Sequence, residues 1–256
     1  MPAARAKRSL LPRLLFHPMY PRFLLAAFLA YAVAWGFNPP DRKDWMLENA
    51  LTLACVLVLV LTYRRFPLSN VSYTLIFVYL CLHTIGAHYT YSRVPWAEWI
   101  NAVTFDAFGF SSKDASGRNH YDRFVHFNYG LLLAYPAREL FCRVARARGF
   151  WGYYLPIDLT MSFSMLYELI EWGVAAHFGG DLGAAYLGTQ GDEWDAHKDM
   201  ALASLGGLIA MTVVAFINWK FDRHFGDEWR RSLAVKGHAP LGEVRLREML
   251  DDEPVR

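Results

Sequence analysis

Long apolar stretches, rather than short alternating ones, dominate the first 220 residues of the chain. A helix that crosses the hydrocarbon core of a bilayer needs about 20 apolar residues. Six stretches approach or reach this length: Phe23–Phe37, Asn49–Tyr63, Phe66–Ser92, Phe124–Ala137, Phe150–Ala176 and Met200–Trp219. The fourth continues to Cys142 if Arg138 and Glu139 lie at the membrane interface. The pattern predicts an all-α fold, a polytopic transmembrane helical bundle with about six spans.

The positions of the Lys and Arg residues predict how these spans are oriented. Loops on the cytoplasmic side of a membrane carry an excess of Lys and Arg. Nineteen of the 26 basic residues lie in the two termini and in the loops after the second and fourth spans, and seven lie elsewhere. Six spans with both termini in the cytoplasm explain this division. We therefore expect a basic arm at 1–22, a membrane domain at 23–220 and a charged cytoplasmic tail at 221–256.

The composition supports a membrane protein and excludes several other classes. Hydrophobic residues make up 54% of the chain and charged residues 20%, against about 25% charged residues in a typical soluble domain. This content is too apolar for a disordered chain, and 3 Cys are too few for a disulfide scaffold. A net charge of +2 is too small to indicate a nucleic-acid partner. The lipid bilayer is the expected surrounding.

Ionisable residues fall at one level of the predicted bundle. In the six-span topology, the outer ends of four spans carry carboxylates and imidazoles: His83, His88, Asp122, His126, Glu168, Glu171, Asp192, Asp195 and Asp199. The pairs Asp122/His126 and Glu168/Glu171 are four and three residues apart, so each pair shares one face of a helix. Ionisable groups inside a membrane are costly and mark functional sites. We therefore expect one site at the outer leaflet.

The residue types at this level suit a divalent metal such as Zn²⁺ or Mn²⁺. The candidate ligands are His83, His88, Asp122, His126 and Asp195. The candidate catalytic carboxylates are Glu168, Glu171 and Asp199, because a carboxylate beside a metal can act as a general base. The candidate substrate-binding residues are Gln190, Asp192 and Trp194. The chain has no His-Glu-x-x-His motif, so the sequence leaves the identity of the cofactor open.

Three sequence strings and a glycine pair resemble those of a known family. They are Asp122-Arg-Phe-Val-His126-Phe, Tyr167-Glu168-Leu-Ile-Glu171-Trp172, Gly188-Thr-Gln-Gly-Asp192-Glu-Trp194-Asp195-Ala-His-Lys-Asp199-Met, and Gly206-Gly207. Together they resemble the YjdF-like bacterial inner-membrane proteins, which carry a domain of unknown function, over roughly residues 20–220. The resemblance implies a polytopic helical fold in the bacterial inner membrane and implies no reaction.

A weaker similarity extends to the VanZ-like proteins. Their last helix has the pattern Asp-x-x-x-Asn-x-x-Gly. Asp199 and Gly206 keep this pattern here, whereas Ala203 stands where Asn is expected. The association of VanZ-like proteins with glycopeptide tolerance implies an envelope role at most.

Three hypotheses about function remain open from the sequence. The first is a metal-dependent hydrolase or transferase that acts on a lipid or lipid-linked envelope substrate. The second is a small transporter or a lipid- or ligand-binding membrane protein without catalysis. The third is a purely structural cluster, in which polar contacts join helices at about 0.6–2 kcal/mol each. The sequence leaves open the substrate, the oligomeric state and whether loop 89–121 re-enters the membrane.

Overall fold

A computed structural model describes residues 18–96, 98–99, 118–178, 180, 189–237 and 241–251. Within these ranges the chain forms helices and no β-strand. The helices are α1 (Tyr20–Trp35), α2 (Arg42–Thr62), α3 (Asn70–His88), α4 (Tyr121–Val144), α5 (Trp151–Phe178), α6 (Asp195–Phe221), α7 (Phe225–Leu233) and α8 (Leu241–Asp251). The predicted all-α fold is confirmed.

Helices α1 to α6 correspond to the six apolar stretches of the sequence. Three of them, α2, α3 and α6, are long and apolar enough to cross a membrane. Helix α1 is apolar but has only 16 residues. Helices α4 and α5 are long, with 24 and 28 residues, but charged side chains interrupt their apolar stretches, and neither meets the same criterion. The full six-span topology, with both termini in the cytoplasm, stays a prediction.

Helix α4 lies at the centre of the bundle and packs against α3, α5 and α6. Helices α5 and α6 also pack against each other, while α1 and α2 lie against α3. The contact between α4 and α6 is the closest, because a Cβ atom at Gly130 of α4 would lie 1.8 Å from the carbonyl oxygen of Ala203. Small residues at such contacts let two backbones approach and pack tightly within a membrane.

The helices alternate in direction. The first turns of α2, α4 and α6 therefore lie at the same end of the bundle as the last turns of α3 and α5. We call this end the site end. At the opposite end, Glu139 of α4 accepts hydrogen bonds from the Ser69 backbone N–H at 2.8 Å and from the Ser72 hydroxyl at 2.6 Å. The Asn218 amide donates to the Tyr153 hydroxyl there at 2.8 Å. Polar contacts therefore tie neighbouring helices together at both ends.

Several sequence predictions fall partly outside the described residues. Residues 1–17 of the predicted basic arm lie outside them, as do residues 238–240 and 252–256 of the predicted tail. The tail contains the two short helices α7 and α8. The question of a re-entrant loop concerns residue 97 and residues 100–117, which also lie outside the described residues.

Candidate functional site

Four ionisable side chains from three helices meet at the site end. The Nε2 atom of His126 lies 3.5 Å from Oδ1 of Asp122, one turn earlier in α4, and 3.6 Å from Oε1 of Glu168 in α5. One carboxylate or imidazole atom each from Asp122, His126 and Asp199 lies within 4.8 Å of the other two. We call Asp122, His126, Glu168 and Asp199 the acid–histidine cluster. The structure thus brings together four of the residues that the sequence singled out.

The contact between α4 and α6 explains why His126 and Asp199 meet. The two helices begin at the same end and run side by side, with Gly130 against Ala203. Residues four apart in a helix lie on the same face. One turn closer to the site end, His126 therefore lies opposite Asp199.

Two carboxylate oxygens of the cluster are buried without a hydrogen-bond donor in the described part of the chain. They are Oδ1 of Asp199, a residue 2% exposed, and Oε1 of Glu168, whose side chain is 9% exposed. A buried carboxylate that lacks a partner is unfavourable, and burial of this kind is usually balanced by a cation or by a proton. The combination of carboxylate oxygens and one imidazole nitrogen is a donor set that Zn²⁺ and Mn²⁺ accept. The residues therefore fit a divalent metal ion.

Glu171, the third predicted catalytic carboxylate, adjoins the cluster through Glu168. It is close to Glu168 and to the Tyr167 hydroxyl, one turn nearer the finish of α5. This position places Glu171 at the edge of the cluster.

Asp195, a predicted metal ligand, instead forms a buried ion pair. Its carboxylate accepts from the guanidinium of Arg118, and the two side chains are 5% and 4% exposed. Arg123 lies 3.4 Å from the same oxygen, and Arg118 also donates to the Thr189 carbonyl. Because two arginines balance the charge of Asp195, we place it outside the acid–histidine cluster.

His83 and His88, the other predicted ligands, form hydrogen bonds that connect the end of α3 to α2 and α1. The Nε2 atom of His83 donates to the Glu48 carbonyl at 3.1 Å, which leaves Nδ1 to accept from the Tyr91 hydroxyl at 2.5 Å. His88 donates through Nδ1 to the Trp35 carbonyl at 2.7 Å. Both ring nitrogens of His83 are therefore engaged, and neither His83 nor His88 is part of the acid–histidine cluster.

Two of the three predicted substrate-binding residues attach the loop before α6 to the start of α4. The Gln190 side chain accepts from the Asn119 N–H at 2.9 Å and donates to the Asn119 carbonyl at 3.0 Å. Asp192 accepts from Lys198 at 2.6 Å and from Arg123. The hydrogen bond from Lys198 is the main cause that lowers the pKa of Asp192 well below its usual range, and the one from Arg123 adds to it. Gln190 and Asp192 thus hold the loop in place.

Trp194, the third of these residues, is 57% exposed at the site end. Its ring nitrogen donates to the Glu193 carboxylate at 3.1 Å. The indole is therefore largely exposed at the start of α6, as Trp residues at a membrane interface are.

Helix α2 supplies functional groups that the sequence analysis did not identify. Its buried residues are Asp44, Glu48 and Thr52, three polar residues at successive intervals of four. The Tyr167 hydroxyl of α5 donates to Oε2 of Glu48 at 3.1 Å. The signal was present in the sequence, because this spacing places a polar stripe on one face of an otherwise apolar helix. The stripe brings a further carboxylate to the site end.

Arg118 lies just before α4, and Arg123 lies in the first turn of α4. An arginine at either position is usually exposed to solvent. Both side chains are mostly buried and face the carboxylates of Asp192 and Asp195. The excess of acidic residues before α6 was the available signal. Without the fold, however, no spacing rule connects residues about 70 positions apart.

A cavity of about 630 Å³ adjoins the acid–histidine cluster, and Asp122 and His126 line one end of it. The remaining walls come from α2, α3, α4 and α5 and are mainly apolar. The polar cluster is thus open to a space large enough for a small ligand.

Comparisons with known proteins identify the family to which the chain belongs. The family described as "Predicted membrane protein (DUF2238)" matches residues 20–220. A protein of Escherichia coli (strain K12), "Inner membrane protein YjdF", is 36% identical over 195 residues, which cover 75% of this chain and 87% of that protein. No solved structure matches the chain. This chain is therefore a member of the DUF2238 family of membrane proteins.

Proposed function

We propose that this protein is a multi-pass protein of the bacterial inner membrane in which Asp122, His126 and Asp199 bind one divalent metal ion. The observation that carries the proposal is the buried Asp199 carboxylate, which has one oxygen without a hydrogen-bond donor in the described chain and lies within 4.8 Å of ligand atoms of Asp122 and His126. The name of the Escherichia coli relative supports the inner membrane as the location.

The chemistry that best suits this site is metal-dependent hydrolysis or group transfer. A bound Zn²⁺ or Mn²⁺ would lower the pKa of a water molecule and polarise a carbonyl or phosphoryl group. Glu168 is placed beside His126 to accept the proton of an attacking water or hydroxyl group and to return it to the leaving group. Glu171, at the edge of the cluster, is available to hold the substrate.

A lipid or a lipid-linked envelope precursor is the substrate class that fits the surroundings. The cluster opens into a mainly apolar cavity in the membrane domain, so an apolar chain can lie beside the reacting group. In the predicted topology the site end faces the outer leaflet, where such substrates are available.

Lipid or ligand binding without catalysis is the second candidate function. The size of the cavity favours it, because about 630 Å³ would hold a ligand whether or not a metal is bound. Under this alternative the carboxylates carry protons, and the cluster binds no metal.

Metal analysis of the detergent-purified protein tests the proposal. We expect about one Zn²⁺ or Mn²⁺ per chain, retained through gel filtration without chelator, and loss of this ion in Asp199→Asn and His126→Ala. Glu193→Gln removes an exposed carboxylate beside Trp194 and serves as the matched control with unchanged metal content. If folded wild-type protein binds none of the first-row divalent ions after reloading, the metal site is wrong.

The catalytic role of Glu168 requires a separate comparison. Glu168→Gln keeps the shape of the side chain, so the folded variant should lose activity or complementing phenotype and still bind the metal. Asp122→Asn and Asp199→Asn should give the same loss of phenotype as Glu168→Gln, because all three act in one site. Different phenotypes among folded variants would contradict a single site.

A further inference from the structure

The cavity beside the acid–histidine cluster has three levels of polarity. At the site end it is lined by polar groups of the cluster and its neighbours: His83, Tyr91, Asp122, His126 and Tyr167. Next come the hydroxyl groups of Thr52 and Ser164. Towards the opposite end the lining is mainly apolar and includes Cys55, Leu59, Ile76 and Leu133.

The two hydroxyl groups are buried and lack hydrogen-bond partners within the described chain. Thr52 is 8% exposed and Ser164 is 2% exposed, and neither hydroxyl oxygen has a donor or acceptor within reach. Serine and threonine in helices commonly donate to the carbonyl four residues earlier, as Thr160 does to Pro156 here. Two unpartnered hydroxyls, both on residues that line one cavity, therefore point to a ligand with an acceptor oxygen at this level.

The depth of the hydroxyl groups is fixed by the helices that carry them. Thr52 lies four residues from Glu48 in α2, and Ser164 lies four residues from Glu168 in α5. Four residues of helix correspond to about 6 Å. An acceptor bound by Thr52 and Ser164 would thus lie one helical turn below a group held by the carboxylates.

The apolar part of the cavity has the length of one lipid leaflet. Its lining on α4 runs from Asp122 to Pro136, which is about 20 Å of helix. Half of the hydrocarbon core of a bilayer is about 15 Å thick. Below the hydroxyl groups, which lie about 6 Å from the cluster, about 15 Å of this length remains, and an extended hydrocarbon chain that spans one leaflet fits within it.

The cavity borders the bilayer between α2 and α5. The exposed apolar residues Leu51 and Val58 of α2 and Phe163 and Leu166 of α5 line its rim. Helix α2 packs mainly on α3, and the Tyr167–Glu48 hydrogen bond bridges α2 and α5 only at the site end. A lipid chain can enter sideways below this bridge.

We propose that this cavity binds one ester-linked acyl chain of a glycerolipid, with the ester carbonyl at Thr52 and Ser164 and the head group at the acid–histidine cluster. The chain enters from the bilayer between α2 and α5. The position of the head group rests on the proposed function, whereas binding of the chain and ester does not require a metal.

Photocrosslinking with a defined lipid tests the binding site. The probe is phosphatidylglycerol with a diazirine midway along one acyl chain, added to delipidated full-length protein in detergent after metal removal. We expect saturable crosslinks to peptides that contain residues 51–59 and 163–170, which excess unlabelled phosphatidylglycerol displaces. Cys55→Trp, which fills the apolar part, should reduce these crosslinks, and Leu57→Trp on the exposed face of the same helix should not.

The hydroxyl groups are tested with an ether lipid. The ester-linked lipid should compete with the probe roughly three- to tenfold better than its ether-linked analogue, the ratio expected for one or two hydrogen bonds. The shape-conserving double variant Thr52→Val/Ser164→Ala should reduce this preference to about one. Equal competition by both lipids in the wild-type protein would show that the hydroxyls do not bind an ester.

Different experimental results would contradict the lipid site and the metal site. Asp199→Asn should lose the metal and keep saturable crosslinking, because the acyl chain lies deeper than the cluster. Crosslinks that do not saturate, or that Cys55→Trp leaves unchanged, would mean bilayer contact only and would overturn the lipid site. Neither result would alter the metal content, on which the proposed function is judged.

Discussion

Gly130 of α4 lies so close to Ala203 of α6 that a Cβ atom at residue 130 would be 1.8 Å from the Ala203 carbonyl oxygen. Helix α6 approaches α4 just as closely at a second glycine, because a Cβ atom at Gly206 of α6 would lie 2.1 Å from the Phe127 carbonyl oxygen of α4. Both obstacles are backbone atoms, which cannot rotate away. The register of the two helices, and hence the position of His126 opposite Asp199, depends on these glycines.

Replacing either glycine should therefore separate α4 from α6. We expect Gly130→Ala and Gly206→Ala each to cost about 1–3 kcal/mol, the usual range for overpacking a tight contact. Thermal unfolding in detergent measures this effect. Gly173→Ala in α5 is the matched control, since a Cβ there meets nothing within 4 Å and should leave the Tm unchanged or slightly higher. A Tm for Gly130→Ala equal to that of the control would contradict the close packing.

The buried pair Arg118–Asp195 should be far more important for stability than exposed ion pairs. Arg118→Met removes the nearer cation of the buried Asp195 carboxylate and leaves only Arg123, 3.4 Å away, so we expect a cost of about 3 kcal/mol, at the lower end of the range for a broken buried ion pair. Replacing both residues, as Arg118→Met/Asp195→Leu, removes the buried charge and should recover part of this loss. Thermal unfolding of the single and double variants measures both effects.

An exposed pair provides the comparison for this prediction. The side chains of Arg230 and Asp227 in α7 are 82% and 61% exposed and lie 3.1 Å apart. Arg230→Ala should change the free energy of unfolding by less than about 1 kcal/mol. If Arg118→Met were as mild as Arg230→Ala, the buried ion pair would not hold the start of α4 against α6.

The apolar pattern was sufficient to predict the helices, because length and hydropathy alone determine which segments can cross a bilayer. It also brought Asp122, His126, Glu168 and Asp199 to one level, which the structure shows as a cluster. This success depended on helices of alternating direction, since a shared level needs only the depth of each residue along its span.

The partners of individual side chains were beyond the sequence, because they depend on how the helices are rotated and packed. Asp195 has the same depth as the cluster but faces Arg118, about 70 residues away. Glu48 precedes the second apolar stretch and was not among the candidate residues, although it is buried against Tyr167. Depth follows from the position along a span, whereas facing direction follows from packing.

His83 is expected to stabilise the fold without binding the metal. Tyr91→Phe leaves the buried Nδ1 atom of His83 without its donor, which should cost about 1–3 kcal/mol and lower the Tm. Metal content should stay at the wild-type value, because both nitrogens of His83 are engaged away from the cluster. His197→Ala, at an exposed histidine, is the control for Tm. Loss of the metal from folded Tyr91→Phe protein would include His83 in the site.

The predicted topology has a direct test in the full-length protein. Three helices, α3, α4 and α5, separate Arg64 from Glu193. If all three cross the membrane, the two residues lie on opposite sides, and the basic residues around Arg64 favour the cytoplasm for that position. A membrane-impermeant maleimide should therefore label Glu193→Cys in spheroplasts and Arg64→Cys only after the membrane is permeabilised. The wild-type protein, whose three cysteines lie in helices, gives the background.

Any other labelling pattern would contradict a specific part of the predicted topology. Labelling of Arg64→Cys alone in intact spheroplasts would reverse the bundle and place the acid–histidine cluster at the inner leaflet, where the substrate would be a cytoplasmic lipid precursor. Labelling of both positions, or of neither, would mean that an even number of the three helices crosses. Helices α4 and α5 would then be the first to re-examine, because they are less apolar than α3 and carry the charged side chains of the site. Since the cluster joins α4, α5 and α6 at the level of Glu193, the sidedness of this one residue decides which leaflet the cluster faces.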